Sequence, residues 1–525
     1  MSAQPAAPTA AEPMTHRQVL EALSGLLLVL FVAMISGTIV SVALPQIIGA
    51  LEGSQSQYTW VVTASLLAST ASTPIWGKLA DLFNKKLLLQ ISITIFMVSS
   101  LACGFAQNTG QLIAFRAIQG LGMGALQILV QVVIAAMISP KERGRYNGYL
   151  GAVMAVATVG GPLLGGLIAD TSWLGWRWCF FIAVPFAVAA LALLAKTLNL
   201  PTQRRANVSI DYWGATLIAV GVSVLLIWVT FVGNDFDWLS WQTAVMAGGG
   251  VLVLALATWI ESKVKEPVVP LHVISRRTPA LAILASLAVG MAMFGGAVFL
   301  GQYFQIGRGY GPTAAGLLTI PMMAGVLFSS TISGRMVSRT GQTKPFILVG
   351  LVILFLGFTG LATIDHKTAL VLVSAYMLAV GIGVGMSMQN LVLVIQNTVP
   401  LREIGAASGA ITFFRSLGGT VGVSVLGAVL ANRVASNIAE GLAKAGIPTG
   451  GGAAGGSLNI AALPEPIKVI VRSAYGDATG HIFLISAGIT VVGLIAAAFL
   501  KPAKLRDSLD LPEQAATPEP ATTTA

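Results

Sequence analysis

The chain has 525 residues, 55% of them hydrophobic and 10% charged, with a formal net charge of +10 and two cysteines. Soluble domains carry roughly 25% charged residues, so a soluble globular protein is excluded and an integral membrane protein is expected. Two cysteines without metal-ligand spacing exclude a disulfide framework, and Cys103 and Cys179 are expected as buried thiols.

Residues 1–19 open on an Ala/Pro/Thr-rich stretch without a signal-peptide pattern and read as a disordered tail. Windows of about 20 apolar residues, the length that crosses a ~30 Å hydrocarbon core, then recur along the chain. They predict fourteen transmembrane helices, at 23–45, 58–77, 88–106, 112–137, 147–169, 178–197, 213–231, 242–260, 280–300, 314–334, 345–364, 369–397, 404–430 and 480–500. The predicted fold is all-α: a six-helix bundle over 20–200, two inserted helices with linkers over 201–278, a second six-helix bundle over 279–500, and a disordered tail from 501 to 525. The segment 432–479 contains PTGGGAAGG and reads as a long external loop, either a flexible flap or a short hairpin.

Of the 30 Lys and Arg, 21 fall in the two terminal tails and every second loop, seven on the other face, and Arg116 and Arg415 inside helices. The positive-inside rule puts both termini in the cytoplasm. This distribution explains the net charge without a nucleic-acid partner.

The halves repeat. Gly120, Gly122 and Gly124 return 261 residues later as Gly381, Gly383 and Gly385, Lys141-Glu142 as Arg402-Glu403, and Gly161 as Gly422. A shift of 257 sets GKLADLFNKK at 77–86 over GRMVSRTGQT at 334–343. An even number of helices per copy makes the copies parallel, as in transporters whose site lies between two halves near the midplane. Shared glycines alone would follow from helix packing; charged turns at the same offset would not.

Three motifs carry a resemblance: Gly77, Lys78, Leu79, Ala80 and Asp81 followed by Asn84, Lys85 and Lys86; Arg116, Gln119, Gly120, Gly122 and Gly124; and Gly161, Pro162, Gly165 and Gly166. Together with TIVSVALP at 38–45 and WVVTASLLA at 60–68, they make the chain resemble the major facilitator superfamily, in its fourteen-helix drug:proton antiporter group, from about residue 20 to 500. The resemblance implies a monomeric plasma-membrane exporter of amphipathic small molecules, such as drugs, antibiotics or toxic metabolites, surrounded by lipid and driven by protons through alternating access. A dedicated exporter of one metabolite or lipid, and an uptake or uncoupled facilitator, are the alternatives. No GxxxxGK[ST] run is present, and no enzymatic activity, cofactor or metal is expected.

Residue roles follow from pattern and resemblance together. Asp81, with Gly77, Lys78 and Lys85, is expected to form a latch at a cytoplasmic turn, pairing with Arg143, Arg145 and the positive N-terminal end of the helix near Gly405. Ser338 replaces the acid in the second copy, so the latch is expected to be lopsided. Arg116, Met123, Gln127 and Gln131 lie along one face of the fourth helix, and Met386, Gln389 and Asn390 on the twelfth. With Ser36 and Phe294 these are expected to line a central cavity suited to a large amphipathic ligand. Gly161, Pro162, Gly165 and Gly166 are expected to form a moving seam mirrored by Gly418 and Gly422, with Arg415 anchoring it through backbone carbonyls.

The family's D-x-T-I-V pattern in the first helix reads Ser36-Gly37-Thr38-Ile39-Val40 here, so the usual buried carboxylate is missing. An intramembrane acid is the ordinary proton carrier. Coupling is therefore expected at peripheral acids, Asp81 and Asp211, or through Arg116 attracting an anionic substrate; uncoupled movement is the third option.

Overall fold

The computed structural model describes residues 16–52, 55–171, 175–198, 211–233, 236–264, 267–269, 271–445 and 464–508. Its long helices are α1 (His16–Ala50), α2 (Gln55–Leu82), α3 (Lys85–Gly104), α4 (Thr109–Met137), α5 (Pro140–Asp170), α6 (Ala183–Thr197, preceded by the turn Trp178–Phe181), α7 (Tyr212–Phe231) and α8 (Trp241–Glu261). They continue as α9 (Arg277–Gln302), α10 (Ile320–Thr340), α11 (Lys344–Leu361), α12 (Leu370–Gln396), α13 (Ile404–Lys444) and α14 (Glu465–Ala498). Among the described residues, twelve stretches are long and apolar enough to cross a membrane. α2 and α5 match them in length but carry more polar residues and glycine, so composition supports twelve crossings against the fourteen expected.

Helix starts follow local chemistry. The Asn84 side chain accepts hydrogen bonds from the N–H groups of Lys86 and Leu87, at 2.9 and 3.3 Å, and so caps α3. Asn108 caps α4 and Asp211 caps α7 in the same way, through Gln111 N–H at 2.9 Å and Gly214 N–H at 2.8 Å.

The repeated glycines set the packing. Positions two apart on a helix point about 200° apart, so alternate glycines serve different neighbours. In the first half Gly120 and Gly124 meet Ser65 and Ser69 of α2, while Gly122 meets Phe96 of α3. In the second, Gly381 and Gly385 meet Met322 and Val326 of α10, while Gly383 meets Gly350 and Leu354 of α11. Each half thereby builds its own apolar core, and the inserted pair attaches through α7, whose Ile218 and Val222 share a cluster with Ala71 of α2 and Phe413 of α13.

Two expectations change. The loop 432–479 shrinks, because α13 continues to Lys444 and α14 begins at Glu465; residues 446–463 lie outside the described residues. The tail from 501 is ordered as far as Ser508 and straps both halves. Arg506 donates to the carbonyls of Gln396 and Val399, at 2.8 and 3.0 Å, while Lys141 pairs with Asp507 at 2.9 Å. Residues 1–15 and 509–525 lie outside the described residues, whereas 16–19 already belong to α1.

Candidate functional site

The halves meet at the end that carries the basic turns, in two crossings related by the repeat. At one, α2 lies on α13, where a Cβ on Gly77 would sit 2.6 Å from the Gly405 carbonyl oxygen. At the other, α5 lies on α10, where a Cβ on Gly144 would sit 2.5 Å from the Gly334 carbonyl oxygen. Gly405 and Gly334 are the repeat partners of Gly144 and Gly77, so the two contacts are copies.

Their charges are not copies. Asp81 Oδ1 accepts from the Gly405 N–H and Oδ2 from the Ala406 N–H, both at 2.7 Å, in the first turn of α13. This residue lies beyond the apolar window 58–77, and burial pushes its carboxyl up to about 7, against the pull of those two N–H groups, Lys85 and Lys78. Arg143 and Arg145 do not pair with it. Arg143 is buried and donates to Gln396 Oε1 across the halves at 2.6 Å, and to the carbonyls of Ile138 and Ala135 at 2.8 Å each. Its short reach round the α4–α5 turn spends the guanidinium there. Arg145 belongs to the second crossing, where it joins Arg335, Arg339 and Ser338 around a cleft of about 700 Å³.

Between the halves lies a smaller cavity of about 80 Å³, lined from α1, α4, α5, α9, α12 and α13. Gln127, Gln131, Phe294 and Gln389 line it, together with Met34, Met154, Met293 and Met388, which composition alone did not single out. Arg415 lines it as well. The expected anchoring of Arg415 to backbone carbonyls is absent among the described residues, where its Nη1 is buried without a partner.

The other residues expected in the cavity lie elsewhere. Arg116 donates to Gln119 Oε1 at 2.7 Å and to the Val61 carbonyl at 3.3 Å, and Gln119 donates to Ser100 at 2.7 Å and Ser36 at 3.4 Å. Arg116 and Ser36 therefore belong to a buried network joining α1, α2, α3 and α4. Arg116 shares a helix face with Gln127 but sits about 16 Å along the axis, where α1 and α2 cover that face. Met123 packs against Gly37, and Met386 against Gly350. Asn390 donates to the Met386 carbonyl at 2.7 Å.

On the seam, a Cβ on Gly161 would overlap the Thr38 side chain and one on Gly165 would lie 2.8 Å from the Ile39 carbonyl oxygen, so α1 and α5 touch through backbone. Gly418 and Gly422 do the same for α13 on α9, against Leu287 and Met291. Pro162 and Gly166 belong to α5, but their surroundings lie outside the described residues.

Asp211 has a companion that sequence reasoning passed over as a helix-end acid. A Cβ on Gly214 would lie 2.6 Å from Glu261 Oε1 and would overlap Asp211 Oδ2, so the two carboxylates flank one glycine. Glu261 accepts from the N–H groups of Val268 and Val269 at 2.9 Å each, while Asp211 Oδ2 is buried without a partner among the described residues. Lys78 is close enough to act electrostatically on both Asp81 and Glu261, linking this pair to the crossing.

Comparison with known proteins places this geometry. The family model described as Major Facilitator Superfamily matches residues 26–423. Multidrug transporter protein MdtP of Bacillus subtilis is 35% identical over 408 residues, covering 78% of this chain and 74% of that protein. Efflux pump dotC of Dothistroma septosporum is 31% identical over 500 residues, covering 94% and 85% respectively. The structure of the proton:xylose symporter XylE, bound to 6-bromo-6-deoxy-D-glucose, superposes with a TM-score of 0.63 at 14% identity, covering 94% of this chain and 99% of that one. At that identity the likeness is one of fold.

Proposed function

The chain belongs to the major facilitator superfamily, as a multi-pass membrane transporter of small molecules and not an enzyme, and from that premise we propose that it exports amphipathic compounds, drugs among them, across the plasma membrane by proton-driven alternating access. The observation that carries this reading is the cavity between the repeats, lined by four methionines, three glutamines and Phe294 and sealed at the basic end by the paired glycine crossings. Methionines and amides give adaptable contacts, which suits varied amphipathic ligands over one rigid substrate. The name of the efflux pump dotC supports export as the direction, and that of the multidrug transporter MdtP supports drugs among the substrates.

In this reading the chain is a monomer in lipid, crosses the membrane fourteen times and keeps both termini in the cytoplasm; α2 and α5 cross although their apolar content is lower, because the halves shield their polar faces. No cofactor takes part, and the proton gradient supplies the energy. Protons act at the basic end, on Asp81 and on the Asp211–Glu261 pair beside Lys78. When that end opens, Asp81 returns to water, its carboxyl falls toward the ordinary carboxylate range, and its proton leaves on the cytoplasmic side. The test is transport in proteoliposomes under an imposed pH gradient, with cationic, neutral and anionic aromatic compounds. Movement of at least one of them against its own gradient supports the reading, and movement only down gradients, whatever the pH difference, overturns it.

A further inference from the structure

We propose that the central cavity is an organic-anion site in which Arg415 binds the carboxylate or sulfonate of an amphipathic substrate; this rests on the transport reading above and names its substrate class.

The cavity lining holds one formal charge, the Arg415 guanidinium, and no acid. Arg415 is only 5% exposed, and among the described residues it makes neither a hydrogen bond nor an ion pair. A guanidinium has five N–H donors, and burying them unpaired costs several kcal/mol, so a structural arginine would be expected to have partners. Arg116 and Arg143 illustrate the difference: both are buried, and each donates to named oxygens of its own chain.

The backbone shows how Arg415 is held. Its carbonyl and Cγ press on Gly290 of α9, where a Cβ would lie 3.1 Å from Cγ, so the aliphatic stem is fixed and the guanidinium is left to the cavity. Gln131 Oε1, a second buried group without a partner, lines the same space, as do Gln127, Gln389 and Ser416. A carboxylate accepts two parallel bonds from a guanidinium, and the methionines and Phe294 cover an apolar body. A cationic ligand meets the reverse: one buried like charge and no acid to offset it. In the closed basic-end state the volume of about 80 Å³ is too small for a drug-sized ligand, so binding accompanies widening of the cavity.

The experiment uses the full chain in nanodiscs of zwitterionic lipid. The probes are the carboxylate, the primary amide and the aminomethyl cation of naphthalene, anthracene and pyrene, read by fluorescence anisotropy. The expected order in the wild type is anion over amide over cation, with anion over amide on the order of ten- to a hundredfold. Arg415→Gln should abolish the order and Arg415→Lys should retain most of it. Thermal stability of Arg415→Gln should be unchanged or higher, because an unpaired buried charge has been removed; a structural arginine would give a large loss.

A wild-type series that is flat or favours the cation overturns the proposal, as does a charge preference that survives in Arg415→Gln. Binding and driven transport are scored separately. If the pH gradient drives the cations and not the anions, export stands and the anion site falls. If anions bind through Arg415 and no probe is driven, the site stands and proton-driven export falls.

Discussion

The raised carboxyl of Asp81 predicts that closure of the basic end depends on pH, and Asp81→Asn should remove that dependence. In the closed arrangement its carboxylate accepts two N–H groups at 2.7 Å, yet burial raises its pKa from 3.8 to about 7. At 1.36 kcal/mol per unit that shift corresponds to ~4 kcal/mol, and partial access of solvent to this half-buried side chain reduces it to ~2 kcal/mol, about a thirtyfold change in population. The closed-state value is the higher one, so protonation favours closure. The contribution is complete below the solvated value near 4 and is lost as pH rises through about 7. The measurement is a spin-label distance between Phe83→Cys, just past the end of α2, and Arg339→Cys on α10, both exposed, in a Cys103→Ala, Cys179→Ala background, from pH 5 to pH 8. The wild type should shift toward the longer distance as pH rises. Asp81→Asn should stay near the pH 5 wild-type distribution throughout and lose more than about tenfold in turnover. The His272–Glu403 pair, 3.2 Å apart, lies at the same end, so the variant is needed to assign the effect. An unchanged pH dependence in Asp81→Asn, or a wild type that opens as pH falls, refutes the reasoning.

Three further outcomes are expected. Gly161→Val forces a branched side chain onto Thr38, whose hydroxyl donates to the Ala157 carbonyl at 3.1 Å; an overpacking cost of about 1–3 kcal/mol should leave an inserted protein that binds probe but has lost most ΔpH-driven transport in proteoliposomes. Arg116→Gln breaks the bond to Gln119 and the contact to Val61, costing about 2–4 kcal/mol, so the unfolding midpoint should fall while the anion preference stays as in the wild type; a lost preference would reassign the charge-sensing role. Ser338→Asp places a carboxylate beside Arg145 and Arg335, and at about 0.2–1 kcal/mol per exposed pair the same spin-label assay, whose second label occupies position 339, should show roughly a threefold gain in the closed population.

Helices and their order were legible because the apolar windows are long and the repeat is written in glycine. The partner of Asp81 was legible too, since Gly405 is the repeat position of Gly144. Hydropathy hid the extension of α13: Arg433, Asn437 and Glu440 make its end look like a loop, whereas the buried Leu430, Val434 and Leu442 recur at helical spacing and hold it as a helix. Periodicity likewise fixed the face of Arg116 but not its surroundings. A stripe on one helix says nothing of which neighbours cover it at a given depth, and so the cavity arginine was sought on α4 when the structure places it on α13. Glu261 was passed over because a helix-end acid is usually solvated; only the placement of Val268 and Val269 brings two N–H donors to it.

The two crossings have the same backbone and different grounds for staying closed. On the α2–α13 side, α13 begins at Ile404, so the N–H groups of Gly405 and Ala406 lie in its first turn and are free for Asp81. On the α5–α10 side, α5 begins at Pro140, which leaves Gly144 in its second turn with its N–H committed to the helix. A carboxylate at 338 would find no free backbone donor there, only exposed arginines, and the sequence has Ser338. What joins that side is close backbone packing, Arg143 to Gln396, and the Arg506 strap, none of which gains or loses a proton near neutral pH. A latch that answers to protons is therefore expected on one side only. Opening of the basic end should begin at α2–α13 and pivot about α5–α10, so labels across the first crossing should separate at a higher proton concentration than labels across the second.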